Sequence, residues 1–142
     1  MRSDLLRAAG AIVFLLLATL PVKAATGDIQ ILTTPSGIEV WLKEEPSIPI
    51  VAMEIAFRGG AALDPEGKVG LVNMLSGLLD EGAGELESQA FQDAMDEQSI
   101  RLSFDTGRDA FYGSLTTLSE NLDSATELFR LALNEPRFDA EP

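Results

Sequence analysis

Few side chains in this sequence could do chemistry, and the residue types that are missing are informative. The 142 residues contain no histidine and no cysteine. That excludes a thiol nucleophile, a Ser-His-Asp triad and imidazole or thiolate metal ligands. Carboxylate pairs remain, Asp80-Glu81 and Asp93 with Asp96-Glu97. Acids paired on exposed helix faces are ordinarily solvated charge, and no apolar pocket accompanies them to raise a pKa for acid–base work. A D-x-[DN]-x-[DN]-G calcium loop is also absent from the sequence. What is left is a polar trio, Asn73, Ser76 and Gly77, interrupting the aliphatic stretch "GLVNMLSGLLDEG". Spaced i, i+3 and i+4, the three share one face of a helix.

The same spacing places ligand, base and ligand in the inverted zinc-peptidase motif H-x-x-E-H. Asn, Ser and Gly cannot replace those groups. An amide is a feeble zinc ligand, a hydroxyl at neutral pH is no general base, and glycine has no side chain. The residues alone read as a small polar patch where another chain packs closely. No catalytic, cofactor-binding or metal-binding residue is assigned.

The pattern predicts these elements. Ile29 to Thr33 is a short β-prone run, Pro35-Ser36-Gly37 a turn, and Ile38, Val40 and Leu42 alternate with Glu39, Trp41 and Lys43 as a half-buried strand. Ile48 to Phe57 is a longer, more continuously apolar strand, expected to be more central. The helix bearing the trio is expected over Val69 to Glu81, with Leu71, Leu75 and Leu78 as its apolar stripe and Val72 and Leu79 beside it. Ser88 is the expected N-cap of a second helix, about Gln89 to Gln98, burying Ala90, Phe91, Ala94 and Met95. Ile100, Leu102 and Phe104 form a strand, Thr106 to Asp109 a turn, and Phe111 to Thr117 the returning partner. Ser119 is expected to cap a third helix, Glu120 to Leu133, with Leu122, Ala125, Leu128, Phe129 and Ala132 inward. This order indicates an α+β fold, with helices packed on one face of a largely antiparallel sheet. There is no GxGxxG, P-loop, internal repeat or low-complexity run.

The chain opens like an export signal: Arg2 and Arg7, the apolar run Ala8 to Leu20, then Pro21 and the small-residue exit Val22-Lys23-Ala24-Ala25. The run is too short to span a bilayer, so stable membrane insertion after cleavage is not expected. Residues 1–24 are taken as the signal peptide and 25–142 as an α+β domain, the N-terminal part of a larger one. The expected location is the periplasm or outside the cell. Export without cysteine means that disulfides go unused in a compartment that permits them. Formal charge is −13 overall, and cleavage leaves 7 basic against 22 acidic residues. Such a balance argues against nucleic acid or an anionic membrane as partner.

Most of the mature sequence resembles the M16 metallopeptidases, the pitrilysin or insulinase family. The likeness begins in "TTPSGIEVWLKEEPSIPIVAMEIAFRGGAALDPEGKVGLVNML", which is similar to the family's hairpin, apolar strand and Gly-bearing loop entering the motif helix. It continues through "LLDEGAGELESQAFQDAMDEQSIRLSFDTGRDAFYGSLTTLSENLDSATELFRLALNEPRF", which looks like the second helix, paired strands and long helix ending in Pro-x-Phe. Carried over by position, the family's first His falls on Asn73, its Glu on Ser76 and its second His on Gly77. The family's third ligand, a later Glu, would lie beyond Pro142.

The resemblance implies a non-catalytic, zinc-free subunit that pairs with an H-x-x-E-H peptidase, the two enclosing a chamber for peptide substrates. Zinc is then expected in the partner and no cofactor in this chain. Zinc-free bacterial members of the family also supply an Arg/Tyr pair from a second domain. Arg58, Arg108 and Tyr112 do not match that setting, and Tyr112 is expected to serve packing. The alternatives are a structural or scaffolding protein of the same fold, an enzyme with other chemistry, and an unrelated α+β binding module.

Overall fold

The computed structural model describes residues 28–140; the expected signal peptide lies outside the described residues. The chain divides after Glu45 into two compact units. Among the described residues no helix is long and apolar enough to cross a membrane.

The first unit is an antiparallel hairpin of β1 (Gln30–Thr33) and β2 (Glu39–Leu42), with Ile31 opposite Trp41 and Leu32 opposite Val40. Gly37, at φ 86°, makes the turn, and Thr34 and Ile38 close it with two bonds: Ile38 N–H donates to Thr34 Oγ1 at 3.0 Å, and Thr34 N–H donates to the Ile38 carbonyl at 2.9 Å. The strand predicted as half-buried is exposed along its whole length. Both faces carry apolar side chains, and a two-stranded ribbon has no layer of its own to bury either one.

In the second unit a three-stranded antiparallel sheet is ordered β3-β5-β4, where β3 is Ile50–Arg58, β4 Arg101–Thr106 and β5 Ala110–Leu118. Among the described residues β3 is therefore an edge strand, not the central one its apolar run predicts. The centre belongs to β5, whose Gly113, Leu115 and Thr117 are buried while Tyr112 and Thr116 face solvent. That alternation is what one covered face and one open face require.

The covering layer comes from α2 (Ser88–Glu97) and α3 (Leu122–Asn134). Phe91 and Met95 of α2 and Ala125, Leu128, Phe129 and Ala132 of α3 join Ile100, Leu102, Leu115 and Ala83 in one core. The inward set predicted for α3 is buried but for Leu122, which is half-buried; in α2, Ala94 is half-buried and Ala90 exposed. Neither predicted serine cap forms. The N-cap of α2 is Glu87, and the Ser88 hydroxyl donates to Glu81 Oε2 at 2.9 Å. A 3-10 turn, Ser119–Asn121, precedes α3.

Aromatic rings knit sheet to helix. Phe104 stacks on Phe129 with centroids 5.6 Å apart and planes within 8°, and on Phe111 at 6.3 Å. The space for that stack is left by Gly113 in β5. A Cβ there would come within 2.9 Å of the Phe129 ring.

Candidate functional site

Asn73 and Ser76 lie on α1, Leu71–Ser76, which is shorter than predicted, and Gly77 is its C-cap. Beyond Ser76 the chain continues in tight turns: Gly77 N–H donates to the Met74 carbonyl at 3.2 Å, Leu78 to Leu75 at 3.0 Å and Glu81 to Leu78 at 3.3 Å. These i→i+3 bonds replace the α-helical ladder. The predicted stripe differs as well. Leu71 and Leu75 are exposed, Val72 and Leu78 are half-buried, and Leu79 is in the core. Periodicity identifies an apolar face but not what covers it.

Two devices fix α1. The first is Asp64, whose carboxylate accepts from Gly70 N–H at 2.6 Å and from Val72 N–H at 3.0 Å. It satisfies orphan donors at the helix start from six and eight residues upstream, where the local capping rules do not look. The second is the loop after β3. Gly59, Ala61 and Ala62 donate their amides to the carbonyls of Asp109, Gly107 and Arg108 at 2.9, 3.0 and 2.8 Å. That zipper brings the backbones so close that a Cβ on Gly60 would lie 2.4 Å from the Gly107 oxygen. Downstream, Ala83 bridges to Leu86 and Pro136, and Arg137 Nη1 donates to the Gly84 carbonyl at 3.3 Å, fixing the segment after α1 to the end of α3.

On this frame Asn73 and Gly77 are exposed and Ser76 is 8% exposed. The Ser76 hydroxyl donates to the Asn73 carbonyl at 2.8 Å. Zinc does not fit here. The donor set is one amide, one inward-turned hydroxyl and a glycine, and zinc calls for imidazole, thiolate or carboxylate. No group of three or more His, Cys, Asp or Glu side chains able to hold a metal exists among the described residues.

The acidic pairs do not converge with the trio into a catalytic constellation. Desolvation raises the Asp80 carboxyl above its ordinary value; a hydrogen bond donated to it by its own backbone amide opposes this, and the charge of Glu81 adds to it. Gln92 Nε2 donates to the Asp80 carbonyl at 2.9 Å, and Gln89 Nε2 to Asp93 Oδ1 at 2.8 Å. Tyr112, expected to pack, stands on the open face of the sheet and lines a shallow cleft with Glu54, Ser103, Asp105 and Ser114. Arg58 and Arg108 are exposed, and Arg108 Nε lies 4.0 Å from Asp109 Oδ1.

Fold and site together define an α+β protein whose helix has the spacing of a metal-holding motif without its donors. Comparison with known proteins gives that class its relatives. No protein-family profile matches the chain. Over 101 residues it is 29% identical to "Non-peptidase homolog YmxG" of Helicobacter pylori (strain ATCC 700392 / 26695), covering 71% of this chain and 23% of that protein. Its fold matches the crystal structure of a peptidase M16 inactive domain from Pseudomonas fluorescens with a TM-score of 0.73 and 22% identity, covering 80% of this chain and 28% of that one. The chain thus spans about a quarter of the length of these relatives. The fold expected from the resemblance holds: it is that of an M16 inactive domain, and the sequence carries no H-x-x-E-H.

Proposed function

We propose that this chain is a non-catalytic, zinc-free M16-like subunit, exported to the periplasm, which pairs with an H-x-x-E-H peptidase to enclose a peptide-degrading chamber. The observation that carries the reading is the trio itself. Three positions with ligand–base–ligand spacing hold Asn73, Ser76 and Gly77, and the middle one is turned inward onto a backbone carbonyl. The printed names of the relatives, a non-peptidase homolog and an inactive domain, agree with a non-catalytic role. Exposed apolar side chains around the helix, Val69 at 94% and Met74 at 63%, favour life in an assembly. A chamber partner supplies zinc and hydrolysis, and this chain supplies wall and contacts to peptide.

The test is reconstitution. Purified alone, the protein is expected to hydrolyse no peptide; mixed with an H-x-x-E-H peptidase from the same cell, it is expected to co-elute and raise peptide turnover. Stable incorporation into an assembly without proteolysis would instead select the scaffolding reading. Chelator-resistant turnover by the single chain would sink both.

A further inference from the structure

Sulfur occurs in this chain only in four methionines, and their settings differ. Met1 lies outside the described residues. Met95 is 6% exposed, within the core, and Met53 of β3 is half-buried against that core. Met74 is 63% exposed. It shares one face of α1 with Leu71 and Leu75, at i, i+3 and i+4 counted from Leu71, and is the most exposed of the three. Leu63, in the 3-10 turn Ala61–Leu63 that contacts α1, and Val69 add further exposed apolar surface. The helix is held by other groups than the Met74 thioether. Its backbone N–H donates to the Gly70 carbonyl at 2.9 Å, its carbonyl accepts from Gly77 N–H at 3.2 Å, and the Asp64 carboxylate holds the amides of Gly70 and Val72.

We infer that Met74 is a modification site: hydrogen peroxide oxidises its thioether to the sulfoxide in the folded chain, ahead of Met53 and Met95, and so turns the most exposed member of an apolar stripe polar without loosening the fold. In the step a sulfur lone pair attacks one peroxide oxygen. The O–O bond breaks, an S–O bond forms and water leaves after proton transfer, the sulfur losing the two electrons that the peroxide gains. Susceptibility follows access, and a thioether in a packed core meets oxidant only when the structure around it opens. The sequence has no cysteine, so no thiol competes for the oxidant. The product is a strong hydrogen-bond acceptor where there was a soft apolar group, which changes what the surface of α1 favours. This concerns the free chain and does not depend on the pairing proposed above.

The test uses the full chain and hydrogen peroxide under folding conditions. Peptide mapping by mass spectrometry is expected to show one added oxygen at Met74 at least ~10-fold faster than at Met95, with Met53 between them. At the stage when Met74 alone is oxidised, the melting temperature is expected to be unchanged and retention on a phenyl column to be reduced. Methionine sulfoxide reductase with its dithiol reductant is expected to restore that retention. Met74→Leu, which keeps an apolar side chain of similar volume, is expected to show the same retention before and after brief peroxide treatment. Oxidation of Met74 no faster than that of Met95, a lowered melting temperature when Met74 alone is oxidised, or an equal loss of retention in Met74→Leu would overturn the inference.

Discussion

Ser76, Asp64, Asp80 and Thr117 each have a polar group placed by the fold, with four different consequences. Ser76 spends its hydroxyl on a helix carbonyl and is lost to chemistry. Asp64 holds the start of α1 with two amide hydrogen bonds, so Asp64→Ala is expected to cost about 0.5–2 kcal/mol, the usual range for a lost helix cap, read by urea unfolding. Thr117 Oγ1 in β5 is buried and has no hydrogen-bond partner among the described residues. Such a group costs about 1–3 kcal/mol, so Thr117→Val is expected to be neutral or stabilising, with a higher melting temperature at unchanged fold. For Asp80 the sign follows from its raised carboxyl. The folded state binds that proton more tightly than the unfolded state, so this residue's contribution grows as pH falls from neutral toward the ordinary aspartate value of about 4. Asp80→Asn is expected to stabilise the protein at neutral pH and to flatten that part of its stability profile, seen in unfolding curves across the range.

The elements show what sequence pattern can and cannot encode. Gly113 sits in the strand with the most partners, and its missing Cβ is what lets Phe129 and Phe104 stack. Gly113→Val is expected to lose about 1–3 kcal/mol through overpacking, measurable as a lower midpoint in denaturant. Element types were legible throughout: the alternation of Leu102 and Phe104, the turn at Gly107, and the face of Ala125, Leu128, Phe129 and Ala132 all lie where periodicity puts them. Position within the sheet was not. Strand β3 is the more continuously apolar of the long strands and reads as central, yet β5, with Ser114, Thr116 and Thr117, holds the middle. Apolarity does not fix a place in the sheet: β3 has no buried residue, its side chains alternating between exposed and half-buried over most of its length. The trio was legible because its information is local spacing. The Asp64 cap and the Gly60–Gly107 approach were not, because both depend on contacts across loops that no periodic pattern marks.

For the whole molecule, charge and exposed apolar surface pull in opposite directions. A formal charge of −13 keeps identical chains apart, while Trp41 at 68%, Leu63 at 69%, Val69 at 94% and Met74 at 63% exposure offer surface that water disfavours. Under the proposed pairing, a partner of less acidic character would relieve both at once. The point can be tested without knowing the interface in advance. Met74 is exposed, so Met74→Asp is expected to change the stability of the isolated chain by no more than about 0.5 kcal/mol. In the reconstituted pair the same substitution buries an unpaired carboxylate if this surface is covered, and affinity for the peptidase is expected to fall by at least ~10-fold, with turnover falling in step. Measured by titration calorimetry and peptide assay, unchanged affinity would place the contact away from α1. Loss of stability in the isolated chain would mean instead that Met74 is already covered there.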